Sequence, residues 1–415
     1  MVEKLVPTLR FLEFNENWEE KSLGEILSRR KEKHKISKDT PLLAFAAGQG
    51  VIDRSERKTN NRDFLTKDSK NKTYLLTEYN DIVYNPSNLK YGAIDRNSHG
   101  KGVISPIYVT FVSNVSPLFM EYIVKSYNFK QKALKYEEGT VIKRQSVHPK
   151  DLVKIKIKIP KTESERIKIG TFLSSIDKKM ELLEKKHDKF QNFKKYLMQQ
   201  IFTQKLRFAD YIDEWKTIKL KDIGEINTGN TPSTAVDEYY SPKKYLWVTP
   251  SDISKKYIFD TAKGLSDEGA KKGRFVKKNS VLVTCIASIG KNCIILEDGY
   301  FNQQINSITP SQSFDLEFIY YLIDYNSQKM KNYAGITATP ILNKKSFENM
   351  KFEFPSFNEQ KQIGNILSKV DDKIFSIEEM INKTQKYKKG LLQQMFNNVR
   401  LVVINLIINE YICPL

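Results

Sequence analysis

Cysteine and histidine are scarce in this chain of 415 residues. The three cysteines (Cys285, Cys293, Cys413) and four histidines (His34, His99, His148, His187) are scattered without the spacing of a zinc site. The expectation is no metal site, with buried or free thiols in a reducing cytoplasm. The N-terminus, Met-Val-Glu-Lys-Leu-Val-Pro, lacks the apolar run of a signal peptide. No stretch reaches the length of a membrane-spanning helix, so a cytoplasmic protein without a membrane partner is expected. Val399 to Leu415 is apolar but too short to span. No Gly-x-x-x-x-Gly-Lys-[Ser/Thr] loop is present, which argues against ATP use by this chain. Clustered carboxylates with a lysine, as a metal-dependent nuclease needs, are also missing. Asp252 with Lys255 and Lys256, or Asp95 with Lys101, come nearest and make no site.

Acidic residues are in the minority: 49 Asp+Glu against 68 Lys+Arg, a net charge of +19. Such an excess points to a polyanionic partner, most simply nucleic acid. Hydrophobic content of 40% and aromatic content of 11% describe folded domains, and the length allows two or three.

What the chain has in abundance is self-similarity. Ile169 to Phe202 recurs as Ile363 to Phe396 at a constant offset of 194 residues. Both copies open on Ile-Gly, continue with Leu-Ser and end on Lys-Lys-x-Leu-x-Gln-Gln-x-Phe. Each carries an apolar seam. In the first it runs Ile169, Leu173, Ile176, Met180, Leu183, His187, Phe190, Lys194, Leu197, Ile201; in the second Ile363, Leu367, Val370, Ile374, Ile377, Ile381, Thr384, Lys388, Leu391, Met395. Alternating steps of four and three give the 3.5-residue period of a two-stranded coiled coil. Each helix should be on the order of 50 Å long at 1.5 Å per residue. Both seams turn polar at one point, Lys194 and Lys388, where a polar residue fixes register at some cost in stability.

The repeat extends beyond the helices. Trp18 to Ile26 answers Trp215 to Ile223, and Gly102 to Tyr108 answers Gly299 to Ile305, both at 197; Asn80 aligns with Asn279 at 199. A short helix follows in each half (Phe119, Tyr122, Ile123 against Phe318, Tyr321, Leu322), then a Gly-containing loop (Gly139, Gly335). An alternating strand closes each half, Val153 to Ile159 and Met350 to Phe354. Its alternation marks a half-buried edge strand, and Pro160 or Pro355 ends it before the long helix. The predicted boundaries are a first domain at 1–160, a central helix at 161–205, a second domain at 206–355, a C-terminal helix at 356–402 and an apolar tail at 403–415. A shared frame with divergent loops suits a protein whose loops recognise and whose frame positions them.

On these features the sequence resembles the specificity subunits of type I DNA restriction-modification systems. The resemblance is carried by the doubled Ile-Gly-x-x-Leu-Ser-x-[Ile/Val]-Asp helix openings, the Gln-Gln-[Ile/Met]-Phe endings and the domain starts at Trp18 and Trp215. Asp81 to Asn85, Val103 to Tyr108, Ser288 to Lys291 and Phe301 to Gln304 also fit. It implies an α+β fold: two α/β target-recognition domains separated by two long antiparallel coiled-coil helices, a pseudo-two-fold internal repeat. It further implies a non-catalytic, sequence-specific subunit in which each domain reads one half of a bipartite site in double-stranded DNA. The helices would set the spacer and dock two modification (methyltransferase) subunits, with restriction/translocase subunits joining them. Cofactors would be absent from this chain; S-adenosylmethionine, ATP and Mg would sit on the partners.

Candidate DNA contacts are polar and basic loop residues, since Arg and Lys suit guanine edges or phosphates, and Asn or Gln suit adenine edges. They are Asn85, Asn88, Lys90, Tyr91, Arg96, Lys143, Arg144 and Gln145 in the first domain, and Thr249, Ser251, Ser288, Lys291, Asn302, Gln303 and Thr337 in the second. No catalytic or metal-binding residue is expected. The rival reading is a stand-alone DNA adenine methyltransferase. Ala44 to Gly50 faintly resembles a glycine-rich cofactor loop, and Tyr84-Asn-Pro-Ser-Asn88 an Asn-Pro-Pro-aromatic catalytic loop. The second lacks the aromatic that would stack on an extruded base, and neither has a counterpart in the other half.

Overall fold

The computed structural model describes residues 6–56, 72–138, 145–334 and 340–396. The chain divides into two compact units, 1–183 with 380–415 and 184–379. Both cuts fall inside the long helices, so each unit owns one globular domain and one half of each helix.

In the first unit, an antiparallel four-stranded sheet has the order Leu27–Arg30, Val109–Ser113, Ile82–Tyr84, Ile94–Arg96. A three-stranded sheet (Lys33–His34, Tyr74–Thr77, Gly102–Ile104) and a hairpin (Leu43–Ala46, Gly50–Asp53) complete it. The second unit repeats this order in a five-stranded sheet: Gly224–Thr228, Ile305–Pro310, Ser280–Thr284, Asn292–Ile295, Tyr257–Ile258. A second sheet there places Tyr245–Val248 parallel to Gly299–Phe301. The aligned asparagines prove equivalent in backbone: Asn80 and Asn279 both have positive φ, 78° and 62°, just before matching strands, a conformation asparagine tolerates better than most residues.

The closing strand of each half pairs with the strand that opens it, Lys156–Ile159 with Glu19–Ser22 and Lys351–Phe354 with Lys216–Lys219. Isoleucine or phenylalanine alternates inward along each. The short helices α1 (Pro117–Lys125) and, in the second unit, Leu316–Tyr325 are both capped by a side chain. Ser116 Oγ accepts from Phe119 N, and Asp315 Oδ1 from Phe318 N.

The long helices are α2 (Glu163–Phe202) and α4 (Phe357–Phe396), each of 40 residues, with α3 (Leu316–Tyr325) between them. Every seam residue of both helices is buried or half-buried and none is exposed. In the first unit Ile169, Leu173, Ile176, Leu391 and Met395 join the core of the domain. In the second, Leu197, Ile201, Ile363, Leu367, Val370 and Ile374 do the same. Pairing is antiparallel within each unit: Asp177 meets Lys388 in the first, and His187 meets Glu378 while Lys194 meets Asp371 in the second. One heptad forward on α2 is thus one heptad back on α4. Cys285 and Cys293 are buried, and burial pushes the Cys285 thiol up to about 12 and the Cys293 thiol upward as well. Among the described residues no group of His, Cys, Asp and Glu is arranged to hold a metal ion, and no helix is long and apolar enough to cross a membrane.

Candidate nucleic-acid interface

Parallel pairing of Tyr245–Val248 with Gly299–Phe301 brings both strands to an end at the same edge of the second unit. The turns that follow abut, with Asn302 N donating to Val248 O at 2.9 Å. The tip of the Ser280–Thr284/Asn292–Ile295 hairpin joins them, because Cys285 N donates to Gln304 O at 2.8 Å. Thr249, Ser251, Ser288, Lys291, Asn302 and Gln303 therefore share one rim.

They are not equivalent on it. Thr249 is held inside its turn, its hydroxyl 2.6 Å from Asp252 Oδ2 and 2.8 Å from Ser251 Oγ. Asn302 accepts from Gln304 N through Oδ1 and donates to Thr231 Oγ1 through Nδ2, so its amide shapes the turn. Ser288 is half-buried, whereas Ser251, Lys291 and Gln303 are exposed. These three are the candidates whose side chains the rim leaves exposed. Thr337 lies outside the described residues.

The first unit gathers fewer of its candidates. Asn85 is buried, and its Oδ1 caps the 3-10 helix Pro86–Tyr91 by accepting from Ser87 N. That helix exposes Asn88 and Tyr91. Lys90 pairs with Glu137 at 3.6 Å. Arg96 turns inward, its Nε donating to Glu121 at 2.7 Å and Nη1 to Asn80 Oδ1 at 3.1 Å. Expected on a loop, it instead ends the strand Ile94–Arg96, and the carboxylate that claims it lies on α1. Gln145 is half-buried; Lys143 and Arg144 lie outside the described residues.

Across a cleft of about 410 Å³ from Asn88 lies Gln49, with Phe45 and Tyr108 on the walls. Gln49 is exposed at the tip of the Leu43–Ala46/Gly50–Asp53 hairpin, where Gly48 and Gly50 adopt positive φ. Sequence reasoning passed over it. The readable signal was the Gly-Gln-Gly tripeptide, whose glycines permit the turn.

The same hairpin disposes of the cofactor-loop reading. Ala46 pairs with Gly50 across it, so Ala44 to Gly50 reverses into a strand instead of opening a helix. Of the nuclease-like fragments, Asp252 accepts from Thr249 N and Ala262 N, and Asp95 is buried against Lys125 rather than Lys101.

Residues 212–386 match the family described as the type I restriction modification DNA specificity domain. Over that stretch the chain is similar to the type I specificity subunits. The MjaIX specificity subunit of Methanocaldococcus jannaschii is 29% identical over 192 residues, covering 45% of this chain and 43% of the relative. The HindI specificity subunit of Haemophilus influenzae is 31% identical over 164 residues, covering 37% and 36%. Each of these matches spans under half of the relative's own length. The fold extends further: the S subunit of the type I system from M. genitalium aligns at a TM-score of 0.62 and 15% identity, covering 95% of this chain and 100% of that one.

In this chain each domain is keyed to the helices by the same three kinds of side chain. In the first unit Tyr122 Oη donates to Asp177 at 2.7 Å, Lys388 pairs with the same carboxylate, and its ammonium lies over the Tyr122 ring. In the second, Tyr321 Oη donates to Asp371 at 2.6 Å, and Lys194 pairs with Asp371 at 2.8 Å while facing the Tyr321 ring. Burial first, then the adjacent aspartate, pushes Tyr122 up; for Tyr321 the order is the same. Both phenols are fixed as donors. The two polar seam positions, Lys194 and Lys388, are thus the points where helix, helix and domain meet.

Proposed function

We propose that this chain is the sequence-specific DNA-binding subunit of a type I restriction-modification complex, each unit reading one half of a bipartite site. The observation that supports this most is the doubling itself: two frames with the same strand order and the same helix anchors carry unlike rims, Ser251, Lys291 and Gln303 in one, Gln49, Asn88 and Tyr91 in the other. The charge of +19 supplies attraction to phosphate. Two modification subunits dock on the long helices and bring S-adenosylmethionine; restriction subunits bring ATP and Mg; this chain performs no chemistry and acts in the cytoplasm. The test is to map modified bases in the genome of a host carrying the modification subunits, with and without this chain. A bipartite methylated motif that appears only with the chain is expected. Methyl transfer to DNA by the isolated chain would sink the reading in favour of a stand-alone methyltransferase.

A further inference from the structure

The ammonium of Lys256 sits in a polar cluster of the second unit, away from the rim. Its side chain is only 10% exposed. It donates to Tyr321 Oη at 2.8 Å and Ser368 Oγ at 2.7 Å, and it pairs with Glu317. A lysine ammonium has three donors, and each is matched. The rings of Tyr257, Tyr320 and Tyr321 surround it at 4.6–5.5 Å from their centroids, within cation–π range. Glu317 is held in turn by Tyr257 Oη at 2.7 Å and Ser368 Oγ at 3.1 Å.

The position of Lys256 in the chain gives the cluster its meaning. The segment Thr249–Tyr257 leaves the rim just after Val248 and returns to the sheet at Tyr257–Ile258. Its near end is held by Asp252, which accepts from Thr249 and Ala262. Its far end is held by Lys256, whose carbonyl accepts from Ile294 N and whose ammonium reaches α3 through Glu317 and α4 through Ser368. Tyr321 carries the network on to Asp371 and Lys194. Without the Lys256 side chain the far end keeps its backbone pairing with Ile294–Ile295 but loses its tie to α3 and α4.

We propose that Lys256 is the positioning residue of the second recognition rim, fixing the segment that bears Thr249 and Ser251 to α3 and α4 so that the rim discriminates bases. The proposal rests on the bipartite-reading function above. A contact of this kind governs geometry rather than charge attraction, so its loss erodes discrimination in one half-site only. Base discrimination by a well-placed polar contact is on the order of 1–3 kcal/mol, so its loss reads as about a tenfold change.

The experiment uses the full chain assembled with its modification subunits and duplexes bearing the mapped site, or that site mismatched in one half. The double variant Lys256→Met with Glu317→Gln removes both charges together, and Lys256→Arg retains them. Ser368→Ala with Tyr257→Phe removes the hydrogen bonds of both hydroxyls without removing either charge and serves if the first variant does not fold. Expected is a loss of about tenfold in cognate-over-mismatch preference in one half, no change in the other, and partial recovery with Lys256→Arg. The Ser368/Tyr257 variant should move the same way by a smaller factor. Equal loss in both halves, or unchanged preference in both for either folded variant, overturns the proposal. Absence of any bipartite preference in the wild-type complex overturns the underlying function instead.

Discussion

At the scale of single residues the two units are anchored by a carboxylate at the third position of each long helix. Glu165 accepts both Nε and Nη2 of Arg10 at 2.7 Å and Trp18 Nε1 at 3.1 Å. Glu359 repeats this with Arg207 and Trp215. A carboxylate in the first turn also faces the positive end of the helix dipole. Trp18 and Trp215 were legible as equivalent landmarks, but their partners were not, since 147 residues separate Trp18 from Glu165. Glu165→Ala leaves a buried guanidinium and indole N–H unpaired, with Arg10 and Glu165 side chains 8% and 2% exposed. Loss of one partner of a buried pair typically costs about 3–5 kcal/mol, so a drop of that size is expected in denaturant unfolding followed by circular dichroism. Glu359→Ala should cost less, because Arg207 is 20% exposed. A Glu165→Ala change under about 1 kcal/mol, the worth of an exposed pair, would contradict this account. On the first rim, Gln49→Ala should relax one half-site at a single position while leaving the other half-site intact, as read by methylation mapping.

At the scale of elements the seam was the most readable part of the sequence, because a 3.5-residue period needs no knowledge of the partner. Its polar breaks were also legible as register points. What they touch was not: Asp177 and Asp371 lie outside the seam, and Tyr122 and Tyr321 come from other helices. The rims show the opposite limit. Arg96 and Asn302 have the right chemistry for DNA but are engaged by Glu121 and by Thr231 with Gln304, contacts that only the folded chain reveals. If Lys194 and Lys388 define register, Lys194→Leu with Asp371→Asn and Lys388→Leu with Asp177→Asn should leave the helices about as resistant to denaturant, since both charges of each half-buried pair go together and none is stranded. The pairing should become less unique, and the complex should methylate sites of more than one spacer length. A single unchanged spacer together with unchanged stability would show that the lysines do not select the register.

For the whole molecule, net charge and the paired helices make separate demands. Phosphate contacts release counterions, so affinity should fall about 10³-fold or more between 50 and 200 mM salt if six or more are made. A binding constant flat across that range, measured by fluorescence anisotropy, would count against a phosphate-dominated interface. The proposed ruler is tested by inserting four residues after Gln191, within the uninterrupted α2. Four residues add about 6 Å at 1.5 Å per residue, close to two base pairs at about 3.4 Å each. They also amount to slightly more than one helical turn, so the seam returns to nearly the same face with a local stutter. Because Ser251, Lys291, Gln303, Gln49 and Asn88 all lie on the domains and none on the helices, the insertion alters none of the side chains proposed to read bases. The expected outcome in methylation mapping is a spacer longer by one or two base pairs, with both half-site sequences as in the wild type. Half-sites that change while the spacer stays fixed would mean that the helices hold the domains without measuring the distance between them.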